Sequence, residues 1–339
     1  MSVFIIAEAG VNHNGDIKTA FALCDKAKEI GANAIKFQTF ITEKLILPNL
    51  ALADYQRINC SSANDNIDQF KMLKKLEFSY ETFTTIKKYC DSIDIEFMST
   101  PDEEDSLFFL ENLGVRRLKI GSGEIDNVPF LRKVVLCNLP IIISTGLANM
   151  SDVDFMMNVL LTSGLSRDNI TILHCTTEYP APFSDINLNA MISIKKRFQV
   201  AVGYSDHSLG IEVPIAAVSL GASIIEKHFT LDNDMPGPDH KASLEPKDFK
   251  KMVTAIRNIE VALGSEQKSI SNSEIKNLNI IRKKIVSKIE IKKGDILDET
   301  NLTTKRSSNG ISAKYWDLTI GKCSSRNYRP NQEIDELIR

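Results

Sequence analysis

Eight short, β-branched apolar runs, each trailed by a segment of helical or partly helical spacing, constrain this chain more than any other feature. They are Val3–Ala7, Ala34–Thr39, Ile95–Met98, Arg117–Ile120, Ile141–Ser144, Ile170–His174, Val200–Gly203 and Ser223–Phe229. Short apolar runs bounded by turn signals read as buried strands. Helical spacing from Lys18 to Ile30 ends at Gly31, and Gly114, Gly164 and Gly221 punctuate the chain before later strands as helix-stopping glycines do. Strands alternating with helices predict an α/β fold with a parallel sheet, and eight such units predict a (β/α)8 TIM barrel ending near Leu263. An open doubly wound sheet is the alternative, but no glycine-rich dinucleotide fingerprint follows the first strand.

A barrel places its chemistry at the C-terminal strand ends, so those positions carry the functional reading. They hold Glu8, Asn12 and His13; Lys36 and Gln38; Ser99 and Thr100; Lys119, Ser122 and Glu124; Ser144 and Thr145; His174, Thr177 and Tyr179; Ser205 and His207; and Glu226 and His228. Ordinary turns would show mostly Gly, Asn and Asp there, without lysines inside buried strands. Lys36 and Lys119 fall at matching places on two strands, with Ser122, Ser144 and Ser205 available as hydroxyl donors. That set predicts an anionic pocket for phosphate plus carboxylate, against the alternative that the lysines snorkel outward. His207 and His228 end neighbouring parallel strands, followed by Pro236-Gly-Pro-Asp-His240. Two imidazoles on rigid elements suit a divalent metal, whereas either alone reads as a cap on the sheet.

Composition narrows the partners. A net charge of −3 spread over mixed signs in 339 residues gives no long-range pull toward nucleic acid, so an anionic ligand must be held by a few placed cations. The 43% apolar content supports a large core. Six cysteines form no CxxC pair, which suits a reducing compartment. No charged leader precedes Val3 and no apolar run approaches the ~18 residues of a membrane span, so a cytoplasmic protein without membrane contact is expected. The stretch from Phe40 to Tyr80 is a long insertion with a polar tract at Ser61 to Asn66, either a substrate cover or a mobile loop.

After Gly264 the texture changes. A polar, helix-compatible stretch at 265–282 leads into short alternating segments over 283–339, split by Asn309-Gly310, Gly321 and Pro330; this predicts a small, mostly β module joined by a linker to a catalytic domain at 1–264.

The motifs Ala7-Glu-Ala-Gly-Val-Asn-His-Asn-Gly15, Lys36-Phe-Gln38, Lys119-Ile-Gly-Ser-Gly-Glu124, Ser144-Thr-Gly146, His174-Cys-Thr-Thr-Glu-Tyr-Pro180, Tyr204-Ser-Asp-His207, Glu226-Lys-His-Phe229 and Pro236-Gly-Pro-Asp239 resemble, in the same order, those of the bacterial sialic acid synthases. The C-terminal module is similar to the antifreeze-like (SAF, β-clip) domain of those enzymes. The resemblance implies condensation of phosphoenolpyruvate with an N-acetylated mannosamine-type aldehyde, assisted by Mn2+ or Mg2+, to give a nine-carbon acidic sugar and phosphate. It further implies that Lys36, Lys119, Ser122, Ser144 and Ser205 hold phosphoenolpyruvate. His207 and His228 would bind the metal, Gln38, Tyr179 and Asp239 would face the sugar, and Glu8, Glu124 and His207 would serve the reacting centre. Arg306 is implied to reach the sugar of a partner subunit in a homodimer with exchanged C-terminal modules.

Two positions depart from the family pattern: Thr177 stands where some members carry asparagine, and Arg306-Ser-Ser-Asn-Gly310 replaces Arg-Pro-Gly-Asn-Gly. Gly121-Ser-Gly-Glu124 and Gly237-Pro-Asp-His240 are unlike pseudaminic acid synthases. The acceptor is then N-acetylmannosamine, giving N-acetylneuraminate, or the 2,4-diacetamido-trideoxy sugar that gives diacetyllegionaminate. A Schiff-base pyruvate aldolase using Lys36, Lys119 or Lys227 is one rival reading; a non-catalytic carbohydrate- or ice-binding protein is the other.

Overall fold

The computed structural model describes residues 2–53, 56–57, 59 and 68–335; Tyr55 and the tract Ser61 to Asn66 lie outside them. The chain divides into two compact units, Met1–Gly264 and Ser265–Arg339.

In the first unit, strands β1 (Phe4–Gly10), β2 (Ala34–Thr39), β3 (Glu96–Pro101), β4 (Leu118–Ile120), β5 (Ile141–Ser144), β6 (Ile170–Cys175), β7 (Ala201–Asp206) and β8 (Ile224–His228) form one sheet. Its order is β3-β2-β1-β8-β7-β6-β5-β4, and every ladder in it is parallel. The two edge strands β3 and β4 come back alongside each other, so the sheet closes on itself as the sequence predicts.

Each strand is followed by a helix: α1 (Ile17–Glu29), α2 (Tyr80–Ser92), α3 (Glu104–Asn112), α4 (Val128–Leu136), α5 (Met150–Thr162), α6 (Asn189–Phe198), α7 (Glu212–Ser219) and α8 (Pro246–Leu263). Local chemistry sets their ends. Asp16 accepts from the amides of Lys18 and Thr19 to start α1, and Asn149 with Asp152 forms a reciprocal capping box on α5. The glycines expected to stop helices, at 31, 114, 164 and 221, all adopt positive φ.

Period-two alternation decides what faces where. Ile5, Ala7, Ile35, Phe37, Phe97, Leu118, Ile120, Ile141, Ile143, Tyr204 and Ile225 point outward into the main core beneath the helices. Ile6, Ala34, Met98, Ile142, Leu173 and Ile224 point inward and pack into a separate apolar layer. The next inward positions toward the C-terminal ends are the charged and polar ones. In the insertion, helices Thr42–Leu45 and Gln69–Leu76 pack a small cluster of Val11, Phe40, Met72 and Leu76, and the Asn59 amide donates to the Pro238 carbonyl.

The second unit contains a helix, α9 (Asn272–Ile281), closed by a Ser271/Glu274 capping box. An antiparallel pair follows, β9 (Lys283–Ser287) and β10 (Leu302–Arg306), around a core of Ile285, Ile291, Leu297, Leu302, Ile311, Tyr328 and Ile334. No helix among the described residues is long and apolar enough to cross a membrane.

Gly203 shows how tight the barrel interior is. A Cβ there would stand 2.4 Å from the Ile224 carbonyl oxygen and 2.7 Å from Leu173 Cδ2, and the backbone oxygen cannot move aside. Gly203→Ala should therefore lower the urea midpoint, with a loss of about 1–3 kcal/mol; an unchanged midpoint would show that the inner layer is loosely packed.

Candidate active site

A cavity of about 200 Å³ lies at the C-terminal strand ends, lined by Glu8, Lys36, Gln38, Lys119, Ser122, Ser144, Tyr179, Ser205, His207 and His228. Thr100, Asp102, Cys175, Thr177 and Glu226 complete its wall. Strand register brings these side chains together: Glu8 pairs laterally with Lys36 on β2 and with His228 on β8, and Ser205 on β7 pairs with Glu226.

Charge is concentrated at its floor. Lys36 and Lys119 are each 3% exposed. The Lys36 ammonium lies 2.7 Å from Glu8 Oε2 and 3.8 Å from Glu226 Oε2, and Lys119 lies 3.6 Å from Glu226 Oε1. Burial works against the Lys36 charge, but Glu226 and Glu8 outweigh it and raise its pKa. Burial of Lys119 is less fully offset by Glu226, so its pKa falls. The two carboxylates part company. Burial pushes Glu8 well above the ordinary carboxyl range despite Lys36, while for Glu226 burial is overcome by Lys119, Lys36 and the Ser205 hydroxyl, which holds it ionised. Lys36, Lys119, Glu8 and Glu226 therefore form one buried cluster in which each charge sets its neighbours' proton affinity.

The hydroxyls are set to donate. Thr100 Oγ1 accepts from Lys36 at 3.0 Å, Ser144 Oγ accepts from Lys119 at 2.7 Å, and Ser122 Oγ accepts from the Gly146 amide at 2.9 Å. Thr100 and Ser144 therefore keep their own hydrogens for another partner, while Ser122 Oγ also lies 3.4 Å from Cys175 Sγ. Ser205 instead donates to Glu226 Oε1 at 2.9 Å. Buried cations beside hydroxyl donors have the chemistry that suits an anion.

Where β7 and β8 end, the imidazole centroids of His207 and His228 are 5.4 Å apart, with Tyr179 4.2 Å from His207. His207 Nδ1 is 2.6 Å from the Thr176 carbonyl; a carbonyl only accepts, so Nδ1 carries the proton and Nε2 is left with a free lone pair. Burial lowers the His207 pKa to about 4 and, with His207 and the lysines adding, takes His228 well below the usual value. His228 Nδ1 is buried without a hydrogen-bond partner. Two neutral imidazoles, one oriented by a carbonyl, have the donor character a divalent ion requires. Among the described residues no group of three or more His, Cys, Asp or Glu side chains is arranged as a metal cage.

The remaining residues expected at the site sit differently. Asp239 is buried beside Glu8, its Oδ2 and Glu8 Oε1 lying 3.7 and 3.2 Å from where a Cβ on Gly10 would stand, and burial pushes its pKa up to about 6. Glu124 is half-buried and accepts from the Asn127 amide, its pKa raised by burial. Arg306 ends β10 in the second unit, exposed. Other strand-end residues are structural. His13 stacks on Phe78 at 3.9 Å, Asn12 donates to Phe229 O and Ser243 Oγ, and His240 bonds Thr230 and Asn14. Ser99 meets Thr39, and His174 meets the Ile186 carbonyl.

Asp102 is a cavity residue that the sequence motifs do not single out, yet burial holds its pKa at about 7 in spite of Lys36. Its signal is parity, because Met98, Thr100 and Asp102 share one face of an extended run. The same parity couples Glu226 to His228.

The NeuB family model matches residues 23–268 and the SAF domain model residues 284–334. The chain belongs to the NeuB family. It is 49% identical over 335 residues to the N,N'-diacetyllegionaminic acid synthase of Campylobacter jejuni, covering 99% of this chain and 98% of that one. The enzyme of the same name from Legionella pneumophila is 44% identical, covering 96% and 92%. A crystal structure of N-acetylneuraminic acid (sialic acid) synthetase from Leptospira borgpetersenii in complex with citrate superposes with a TM-score of 0.72 at 34% identity, over 82% of this chain and 90% of that one.

The histidine environment of this NeuB-family site is testable in metal-free protein. A folded-state pKa near 4 for His207, below the ~6.5 of an unfolded chain, means that the unfolded state takes up the proton first as pH falls. The stabilising contribution is complete above ~6.5 and declines toward pH 4, by up to about 1.4 kcal/mol per pH unit. The His207 ring C–H resonance, identified by its loss in His207→Ala, should keep its neutral position from pH 8 down to about 5. Titration near 6.5 would show a solvated ring.

Proposed function

We propose that the chain is a nonulosonic acid synthase that condenses phosphoenolpyruvate with 2,4-diacetamido-2,4,6-trideoxymannose to give N,N'-diacetyllegionaminate and phosphate. The observation that carries the reaction class is the pair of buried lysines beside hydroxyls whose hydrogens remain free, in a chain of the NeuB family. The choice of acceptor is supported by 49% and 44% identity to relatives named as diacetyllegionaminic acid synthases; N-acetylmannosamine is the competing acceptor.

In this reading Lys36 and Lys119 hold the phosphate and carboxylate of phosphoenolpyruvate, with Ser122, Ser144 and Ser205 at its oxygens. Gln38, Tyr179 and Asp239 orient the sugar. His207 and His228 would hold Mn2+ or Mg2+, which when bound supplies Lewis acidity for an aldehyde oxygen. The methylene carbon attacks the aldehyde carbon, Glu8 donates the proton that the resulting oxyanion takes up, and Glu124 accepts a proton from the water that adds to the cationic carbon. The bond between that carbon and the phosphate oxygen then breaks as the new hydroxyl gives its proton to the departing phosphate, which leaves the keto acid and inorganic phosphate. Lys227, one candidate for a Schiff base, does not line the cavity and is tied to Asp206 and Ser208. Free thiols at all five described cysteines accord with a cytoplasmic setting.

The decisive assay follows phosphate release from phosphoenolpyruvate with each aldehyde. Turnover should favour the diacetamido sugar; equal turnover overturns the acceptor, and a borohydride-trapped pyruvate adduct without phosphate release favours an aldolase. Binding without turnover in Mn2+ would leave a carbohydrate-binding protein. Chelator should abolish activity and Mn2+ restore it. Lys36→Met and Lys119→Met should each raise the phosphoenolpyruvate KM by ~10-fold or more, or abolish turnover, because a buried anion loses a countercharge; unchanged constants would place the phosphate elsewhere.

For Arg306 the proposal is that it completes the site of a partner subunit in a homodimer, its planar guanidinium suited to an acyl oxygen. Co-expressing Arg306→Ala with His228→Ala tests this. Exchange gives roughly half heterodimers with one intact site each, hence about a quarter of wild-type activity; a dead mixture means that Arg306 serves its own barrel.

A further inference from the structure

Asp206 and Lys227 form a salt bridge that is buried on the outer face of the barrel, with side chains 0% and 1% exposed. They are lateral partners across β7 and β8. Neither lines the catalytic cavity, and the reaction as derived uses neither. A buried ion pair gains little over an apolar pair of similar volume, so what this one adds is direction. Each partner immediately precedes one of the cavity histidines: Asp206 stands before His207, and Lys227 before His228.

The bonds close a ring around His207. Asp206 Oδ1 accepts from the Ser208 amide at 3.0 Å and from the Ser208 hydroxyl at 2.7 Å. The Lys227 ammonium donates to Asp206 Oδ2 and to the Ser208 carbonyl. The residue before His207 and the residue after it are thus both tied to one point on β8. Between those two anchored residues, His207 Nδ1 meets the Thr176 carbonyl at 2.6 Å.

We infer that the Asp206–Lys227–Ser208 ring is the positioning device of the site, fixing the His207 imidazole and its spacing from His228 from behind the barrel wall. Only the metal-binding arm of the test rests on the function proposed above. The ring acts on backbone and hydrogen-bond geometry, so its loss should disturb the imidazole before it disturbs the fold. Asp206→Leu combined with Lys227→Met replaces the pair by apolar groups and leaves no buried charge unpaired.

The test uses the full-length protein, 15N-labelled at histidine and free of metal. In wild type the His207 Nδ1–H, assigned by its loss in His207→Ala, should be protected from exchange by the short bond to Thr176. In the double variant, melting within about 5 °C of wild type, that resonance should exchange at least tenfold faster, and the Mn2+ dissociation constant read by paramagnetic resonance should rise ~10-fold or more. A folded double variant with unchanged exchange and unchanged Mn2+ affinity overturns the inference. If exchange accelerates but His207→Ala binds Mn2+ as wild type does, the positioning role stands and the metal-ligand reading falls. Should the double variant not fold, Ser208→Ala removes one donor to Asp206 and should still speed exchange severalfold; an unchanged rate would again overturn it.

Discussion

The organisation of the catalytic unit depends on two ammonium groups held inside a barrel. A lysine at 3% exposure is tolerated only with compensating charge and hydrogen bonds, and stripping one partner from such a pair costs about 3–5 kcal/mol. The chain meets that requirement by placing Glu226 on β8 between Lys36 on β2 and Lys119 on β4, with Glu8 on β1 against Lys36. Those contacts need the sheet to close, since β2 and β4 are separated in the ladder order by β1, β8, β7, β6 and β5. The apolar layer of Ile6, Ala34, Met98, Ile142, Leu173 and Ile224 lies on the same inward face and separates the charges from the opposite end of the barrel. Fold and site therefore follow from one alternation.

That alternation explains what was legible. Strand count, helix stops and the converging residues of β1, β2, β4, β5, β7 and β8 were readable because side-chain direction repeats every two residues and the glycines at 31, 114, 164 and 221 mark four of the helix ends. Where reading failed, it failed past the strand ends. Asn12, His13 and His240 look chemically rich in sequence, yet they pin loops, through Phe229 and Ser243, Phe78, and Thr230 and Asn14 respectively. Asp102 looks like an ordinary turn residue after Pro101 and proves to be a cavity carboxyl with a pKa near 7. Sequence types alone do not separate a polar group that closes a loop from one that faces a ligand; parity separates them only as far as the strand persists.

The C-terminal unit is a different case. Its apolar core is small, with Ile285, Ile291, Leu297, Leu302, Ile311, Tyr328 and Ile334 buried, and its hydrogen bonding relies on isolated bridges such as Ile291 to Tyr328 and Ile296 to Cys323. Short segments without a long period offer little pattern to read, which is why only the alternation from Ile285 into the turn at Gly294 and the later turns were legible, the strand itself spanning Lys283–Ser287. The SAF match over 284–334 supplies what periodicity could not.

Thr177 connects the anion half of the cavity to the remainder. A Cβ on Gly146 would stand 1.9 Å from Thr177 Oγ1 and 2.9 Å from both Cys175 Sγ and Ser122 Oγ, so the loop after β5 touches the loop after β6 with no room for a side chain. The Gly146 amide donates to Ser122 Oγ, which also lies 3.4 Å from Cys175 Sγ. Thr177 Oγ1 is itself buried without a hydrogen-bond partner, a costly state for a hydroxyl unless something else meets it. Asparagine, which some family members carry at the position of Thr177, is longer and brings both a donor and an acceptor. Threonine is shorter and keeps one hydroxyl that can donate or accept. The departure from the family pattern thus falls where a change of side-chain length alters cavity shape while leaving the lysine and serine cradle in place.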